Sequence, residues 1–333
     1  MRRLSLLALA GIAAGCAAAG TAQPRCRMSG VTLGWLEGSF ASWDLVRERQ
    51  LRLADARAPE LIVFDRHCVW TFAPGGSGAT RLRAGRDTLF GDGRVHGDSI
   101  GLPNGLVIPV RGEAFASLLP GDSATFLVIA LEDVWRRDPR HRAEAEDWPS
   151  YLRRSFIHEM THARQLVVLA PMLRIAAARV GLGDFDDDVI QQRFDSVPGF
   201  SRAVREEAAL LYDAAAASAE SRRVLALQAV ERIRMRRARV YGSDDAPWAR
   251  LEQLLLDMEG AAQWAAMAHL GNTTRLGVEA RRNVVRGARQ YWSEDQGLAL
   301  YMVLDALVPG WAEQMFSTEP PSSLDLLERA ARR

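Results

Sequence analysis

His158, Glu159 and His162 are the residues of this chain whose types and spacing most directly spell out a chemistry. The stretch Phe156-Ile157-His158-Glu159-Met160-Thr161-His162 reads His-Glu-x-x-His. On a helix, four residues return the second imidazole to the same face one turn along. Two imidazoles stacked this way chelate one zinc ion. Glu159, turned about 100° from His158, is poorly placed to bind that ion but well placed to take a proton from a water beside it. The pattern predicts a hydrolytic unit of Zn2+, water and carboxylate.

Three fixed residues also arise by accident, so the surroundings decide. Asp147 and Ser150 are capping candidates, Pro149 suits a first helical turn, and Pro171 stops the run. Between them Tyr151, Leu152, Phe156, Ile157, Met160, Leu166 and Val167 supply an apolar surface broad enough for a buried helix.

A catalytic zinc needs a third protein ligand and leaves a fourth position open. Val168 stands six residues beyond His162, which excludes the extended motif with a third histidine. A glutamate from a later helix is the alternative. Glu259 is the best candidate, because residues 251–265 are apolar through Leu251, Leu254, Leu255, Met258, Ala262 and Ala265, and Glu259 sits beside that stripe. A buried carboxylate is costly unless paired or metal-bound. Gly260, Ala261 and Ala262 have little bulk, so this helix is expected to approach the motif helix closely. Glu206 or Glu207 is the rival third ligand, and His269 a weaker one.

The elements that must hold these groups are legible in outline. Residues 36–53 suit a first amphipathic helix, ended by Pro59. Residues 61–64 and 68–72 read as strands, residues 80–120 as irregular β structure dense in glycine, and residues 124–131 as the strongest strand. From Tyr151 onward the pattern is helical, over 171–180, 188–194, 203–217, 221–240, 247–270, 278–287, 298–307 and 324–332. Residues 181–188 form an acidic loop that lacks the alternating ligands and final glutamate of a calcium loop, and reads as a solvated connection. No internal repeat is present. The expected fold class is α+β: a leader over 1–22, an α/β part over 27–146, then the motif helix and a mainly helical part over 147–333.

With 333 residues and 48% hydrophobic content the chain can bury one large core or two smaller ones. It carries 42 basic and 41 acidic residues, and every basic one is arginine. No basic block suited to tracking phosphates stands out, and Arg234-Met235-Arg236-Arg237-Ala238-Arg239 reads as a solvated helix face, so nucleic acid is not an expected partner. Arg2 and Arg3 precede an apolar run over 4–14 that is too short to span a bilayer, the make-up of a secretory signal. Ala13-Ala14-Gly15-Cys16 resembles a lipobox, in which Cys16 would carry lipid, although leucine is usual where Ala13 stands; cleavage after Ala22 is the competing reading. With Cys16 lipidated, Cys26 and Cys68 are an even pair, either a disulfide in an oxidising compartment or two buried thiols. The expected location is the periplasm or a membrane-anchored lipoprotein of a bacterial envelope.

With His-Glu-x-x-His at 158–162 and Glu259-Gly260-Ala261-Ala262 downstream, the chain resembles the gluzincin metallopeptidases. The order before the motif agrees, namely helix, strands, a strong strand at 124–131 and the motif helix, as in the zincin core whose last strand can pair with an extended substrate. More closely, Phe64-Asp65 with Cys68, residues 128–135, 158–165, 258–264 and 297–311 look like a family of uncharacterised bacterial envelope proteins of that type. The resemblance implies His158, His162 and Glu259 as zinc ligands, Glu159 as general base, and a peptide or protein as substrate. It departs from thermolysin-like enzymes at Gln263, where those place an aspartate that orients a ligand histidine; Asp257 or Asp305 is a possible substitute. An oxyanion donor is also needed, and Tyr291, in the polar stretch 289–297, is the first candidate, with Tyr301 and Arg289 behind it. An envelope lipoprotein with a non-catalytic zinc site, serving structure or partner binding, is the alternative.

Overall fold

The computed structural model describes residues 26–54, 57–121, 124–141, 147–183, 185–286 and 291–333. The leader, the Cys16 lipid site and Arg289 lie outside them. The described chain is α+β, with all eight described strands before residue 131 and every described α-helix but the first after it.

Ser29 caps the first helix, α1 (Gly30–Leu45), by accepting from the Thr32 N–H, and a π-helical turn over Val46–Gln50 follows. The strands are β1 (Glu60–Phe64), β2 (Cys68–Pro74), β3 (Thr80–Ala84), β4 (Asp87–Val95), β5 (Ser99–Gly101), β6 (Val107–Pro109), β7 (Ala114–Leu118) and β8 (Thr125–Ala130). Six of them form one sheet in the order β3-β4-β2-β1-β8-β7. β1 and β8 run parallel, Glu60 opposite Phe126, and every other pairing in that sheet is antiparallel. The glycine-dense region expected to be irregular thus supplies regular strands, with β5 and β6 as a separate hairpin.

One expectation is overturned here. β8, the strongest strand signal, is paired on both sides, by β1 and β7, so no edge of it is open to a substrate. Its residues are buried throughout, which is why the signal is strong: a continuous apolar run marks a strand covered on both faces. The sheet ends instead at β7.

The helices are α2 (Glu132–Trp135), α3 (Trp148–Arg179), α4 (Val189–Phe194), α5 (Phe200–Ala216), α6 (Ala219–Tyr241), α7 (Pro247–Thr273), α8 (Val278–Arg286), α9 (Trp292–Leu307), α10 (Trp311–Met315) and α11 (Ser323–Ala331). Asp147 caps α3 as expected, accepting from Ser150. Pro171 does not stop this helix, which runs on to Arg179. Proline removes one donor and crowds the preceding turn, but Leu169, Leu173, Ala176 and Ala177 are buried on both sides of it, Leu169, Leu173 and Ala176 in one cluster with Ile190 and Phe200. Packing carries the helix across.

α7 is the central rod, apolar and buried almost all round between Leu251 and Leu270. Gly260 has a different use from the one expected. A Cβ there would lie 2.5 Å from Tyr301 Cδ2 and 2.7 Å from the Gly297 carbonyl, and one on Gly297 would lie 2.8 Å from Gly260 Cα. The glycine pair therefore permits backbone contact with α9, not with α3, because Gly260 is turned about 100° from Glu259.

The basic stretch of α6 is also corrected. Arg236 and Arg237 are 2% and 3% exposed rather than solvated. Arg236 donates to Glu207 and Glu252, Arg237 donates to Glu252 and Gln253, and the Tyr241 hydroxyl donates to Glu252 at 2.6 Å. Cys26 and Cys68 are joined in a disulfide, with Cα atoms 5.8 Å apart, which ties the start of the described chain to β2.

Candidate metal centre

α3 and α7 pack against each other, and the site lies at their crossing, below β7. His158 and His162 project from the same face of α3 with ring centroids 4.4 Å apart and edge to face. Their Nε2 atoms are 2.8 Å apart. Glu259 reaches them from α7, with Oε2 3.4 Å from His158 Nε2 and Oε1 3.3 Å from His162 Nε2. Glu259 is 1% exposed, yet both its oxygens are buried without a hydrogen-bond partner. Such groups are costly to leave unsatisfied. Two imidazole nitrogens and a carboxylate within 4.8 Å of one another form a donor set of the kind that holds a divalent cation, and the orphaned carboxylate oxygens are the observation that fits one.

Glu159 is not part of that group. Its Oε2 accepts the backbone N–H of Ala116 on β7 at 3.1 Å, so the sheet edge holds this carboxylate away from the ligand atoms. Odd-numbered residues flanking β7 bond towards β8, as Ala130 N–H to the Glu113 carbonyl and Leu119 N–H to the Ala124 carbonyl show. By strand alternation the N–H and C=O groups of Ala114, Ala116 and Leu118 face the other way.

A cavity of about 630 Å³ opens in front of these groups. Its walls are Ala114, Phe115 and Ala116 of the edge strand, Tyr151, Arg154 and Ser155 of α3, and Tyr291 and Glu294 at the start of α9, with Phe185, Asp186 and Asp187 between α3 and α4. Five carboxylates line it, Glu159, Asp186, Asp187, Glu259 and Glu294, against one arginine, Arg154. That balance favours a cation.

The charges at the centre follow from burial and proximity. Burial acts to lower the His162 pKa, but Glu259 opposes it with charge and contact and pushes it up to about 10. Burial acts to raise Glu259, yet His162 and His158 hold it well below the usual carboxylate range. Burial, with Glu259 adding to it and His162 and the Ala116 N–H opposing, pushes Glu159 up to about 8. Without a metal, then, the imidazole contacts at 3.3 and 3.4 Å, outside hydrogen-bonding geometry, are what faces the Glu259 charge, and that charge strengthens the hold of His162 on a proton. A metal must displace that proton. Uptake of a divalent metal near pH 7 is expected to release protons, and metal affinity to rise with pH through the range in which His162 loses its proton. Titration calorimetry in buffers of different ionisation heat measures the released protons, and uptake without release would contradict this charge assignment.

Tyr291 lines the cavity and is 45% exposed. Tyr301 does not, for it is fully buried and donates its hydroxyl to the Asp257 carbonyl at 2.9 Å. Glu207 is engaged by Arg236 and Gln296, and Glu206 is an exposed partner of Arg202, so neither can be the third ligand. His269 lies about 15 Å further along α7, at 1.5 Å per residue, outside the cavity; burial and the nearby Arg153 and Arg154 lower its pKa to about 4. Gln263 lines the cavity but has neither histidine as a hydrogen-bond partner among the described residues, and Asp305 accepts from Trp311. The imidazole partner is Gln165, which sequence reasoning did not single out. Asp186 and Asp187 of the acidic loop are exposed, as a solvated connection requires, and with Phe185 they also line the same cavity. Arg154 was findable: it stands one turn before His158, in the same helical row as both histidines.

Comparison with protein-family models, with curated proteins and with solved structures found no match to this chain.

Proposed function

We propose that this protein is a zinc-dependent hydrolase, a metalloendopeptidase of the bacterial cell envelope, with His158, His162 and Glu259 holding the ion. The observation that carries the reading is the division of labour at one point. Three donor groups converge with two orphaned oxygens, while a fourth group, Glu159, is held apart by a strand edge at the mouth of a cavity. A purely structural zinc takes four protein ligands and is closed; three ligands beside a cavity are the arrangement of a catalytic one.

A bound zinc ion would supply a Lewis acid that makes a water acidic near neutral pH and polarises a carbonyl. The chain supplies the rest. The outward N–H and C=O groups of Ala114 and the C=O of Ala116, whose own N–H holds Glu159, offer an extended peptide a strand to pair with, in place of the β8 edge expected from the sequence. Glu159 takes a proton from the attacking water as the new carbon–oxygen bond forms, and delivers that proton to the nitrogen as the carbon–nitrogen bond breaks. A cation beside Glu159 acts to lower its pKa from about 8, keeping the base ionised at neutral pH. Tyr291, on the cavity wall, is the donor proposed for the developing oxyanion. The disulfide is consistent with an oxidising compartment.

The test is cleavage of a mixed peptide library, read by mass spectrometry, by zinc-loaded protein, by protein stripped with a chelator, and by stripped protein returned to one equivalent of zinc. Cleavage that is lost and then restored is expected. Stoichiometric zinc with an intact library in every arm would favour the non-catalytic zinc lipoprotein instead.

A further inference from the structure

His162 has two ring nitrogens, and only one can face Glu259. The other, Nδ1, lies 3.2 Å from Gln165 Oε1, one turn along α3. Gln165 is itself 4% exposed, and its Nε2 donates to the main-chain carbonyl of Asp257 on α7 at 3.2 Å. That carbonyl also receives the hydroxyl of the fully buried Tyr301.

The chemistry of these atoms leaves one arrangement. A carbonyl only accepts, so the Gln165 amide must turn its NH2 towards Asp257. Its oxygen is then the atom facing the imidazole, and an amide oxygen also only accepts. Nδ1 must therefore carry a proton, and in the neutral ring Nε2 presents its lone pair to the position that Glu259 faces.

We propose that Gln165 is the positioning residue for His162: it fixes the Nδ1–H tautomer and the ring orientation, and takes its own orientation from the α7 backbone two residues before Glu259. This rests on the metal-site reading above. The helix that supplies the third ligand thereby sets the tautomer of the second. A shift of α7 along α3 would disturb two ligands together. The aspartate missing at Gln263 needs no replacement on α7, because the role has moved to the motif helix itself.

The experiment compares native protein with Gln165→Met, which keeps length without polar atoms, and Gln165→Glu, which keeps an oxygen acceptor. Zinc affinity is read by competition with a chromophoric chelator, the ligand field by the visible spectrum of the cobalt(II) form, and metal-free folding by thermal melting. Gln165→Met is expected to bind zinc about 10–100-fold more weakly and to change the cobalt spectrum, while Gln165→Glu, which keeps the acceptor for Nδ1–H but loses the donor to the Asp257 carbonyl, is expected to lose less affinity than Gln165→Met. Native-like zinc affinity and cobalt spectrum in Gln165→Met, beside a native protein that binds, would overturn the proposal and leave the metal site standing. Absence of zinc binding by the native protein overturns both. If Gln165→Met fails to fold, long-range proton–nitrogen correlation spectra of zinc-loaded native protein decide the matter. A proton on His162 Nδ1 is expected, and a proton on Nε2 would overturn the proposal.

Discussion

Glu159→Gln is expected to bind one zinc ion per chain as the native protein does and to lose peptide hydrolysis by about 10²–10⁴-fold, the usual contribution of a positioned general base. Metal binding should survive because Glu159 is not among the three converging donors, and its nearest polar partner is the Ala116 N–H, 3.1 Å away on β7. Glutamine keeps an oxygen to accept that hydrogen bond. It cannot accept a proton from water. The loss should therefore fall on kcat, where the proton transfers are made, with KM little changed, because glutamine keeps the Ala116 N–H of β7 engaged as glutamate does. Zinc content by plasma emission and steady-state rates on a cleaved library peptide give both numbers. Equal loss of zinc and activity would mean that Glu159 is a ligand or that the variant misfolds, against the division of labour drawn above.

The second large effect is on stability. Glu252→Leu is expected to destabilise the fold by about 3–5 kcal/mol, the penalty for breaking a buried ion pair by removing one partner. Glu252 is fully buried and accepts from Arg236 Nη1 and Nη2 at 2.7 and 2.9 Å, from Arg237 Nε at 2.8 Å and from the Tyr241 hydroxyl at 2.6 Å. Without it Arg236 keeps only Glu207, and Arg237 keeps Gln253 and a 3.6 Å contact with Asp244. Arg236 is then left with one close carboxylate and Arg237 with an amide oxygen and a distant carboxylate, both guanidinium groups still buried. The neighbouring Arg234 is a useful contrast: it pairs with Asp244, Asp325 and Glu328 while partly exposed, and Arg234→Ala should cost no more than about 1 kcal/mol. Denaturant titration of both variants measures the difference. A Glu252→Leu effect as small as that of Arg234→Ala would show that the cluster adjusts or admits water.

Much of the candidate site was legible because its chemistry is local. Helical spacing brings His158 and His162 to one face whatever the rest of the chain does, and Glu259 beside an apolar stripe had few ways to be buried at acceptable cost. Cys26 and Cys68 were legible as a pair. What escaped depends on which element crosses which. β7 has the composition Ala-Phe-Ala-Ser-Leu, without a β-branched run, and its contribution is main chain, which no side-chain pattern announces. Gln165 looks like any polar residue on a helix until α7 passes beneath it and offers a carbonyl. Arg236 and Arg237 read as surface charge because their partners, Glu207 and Glu252, come from two other helices. The same long-range packing carries α3 across Pro171, where local rules end a helix. Residues 181–188 were judged by the calcium pattern they lack, and the place of residues 185–187 beside the cavity was set by where α3 ends and α4 begins.

The central claim is that two helices close one zinc ion between His158, His162 and Glu259. X-ray absorption at the zinc edge, on purified protein loaded with one equivalent, tests it most directly. The expected result is a site with two imidazole nitrogens and carboxylate oxygen in the coordination shell, an imidazole signal that falls in His162→Ala, and a changed carboxylate contribution in Glu259→Ala. A shell without imidazole, or one unaltered by either substitution, would contradict it.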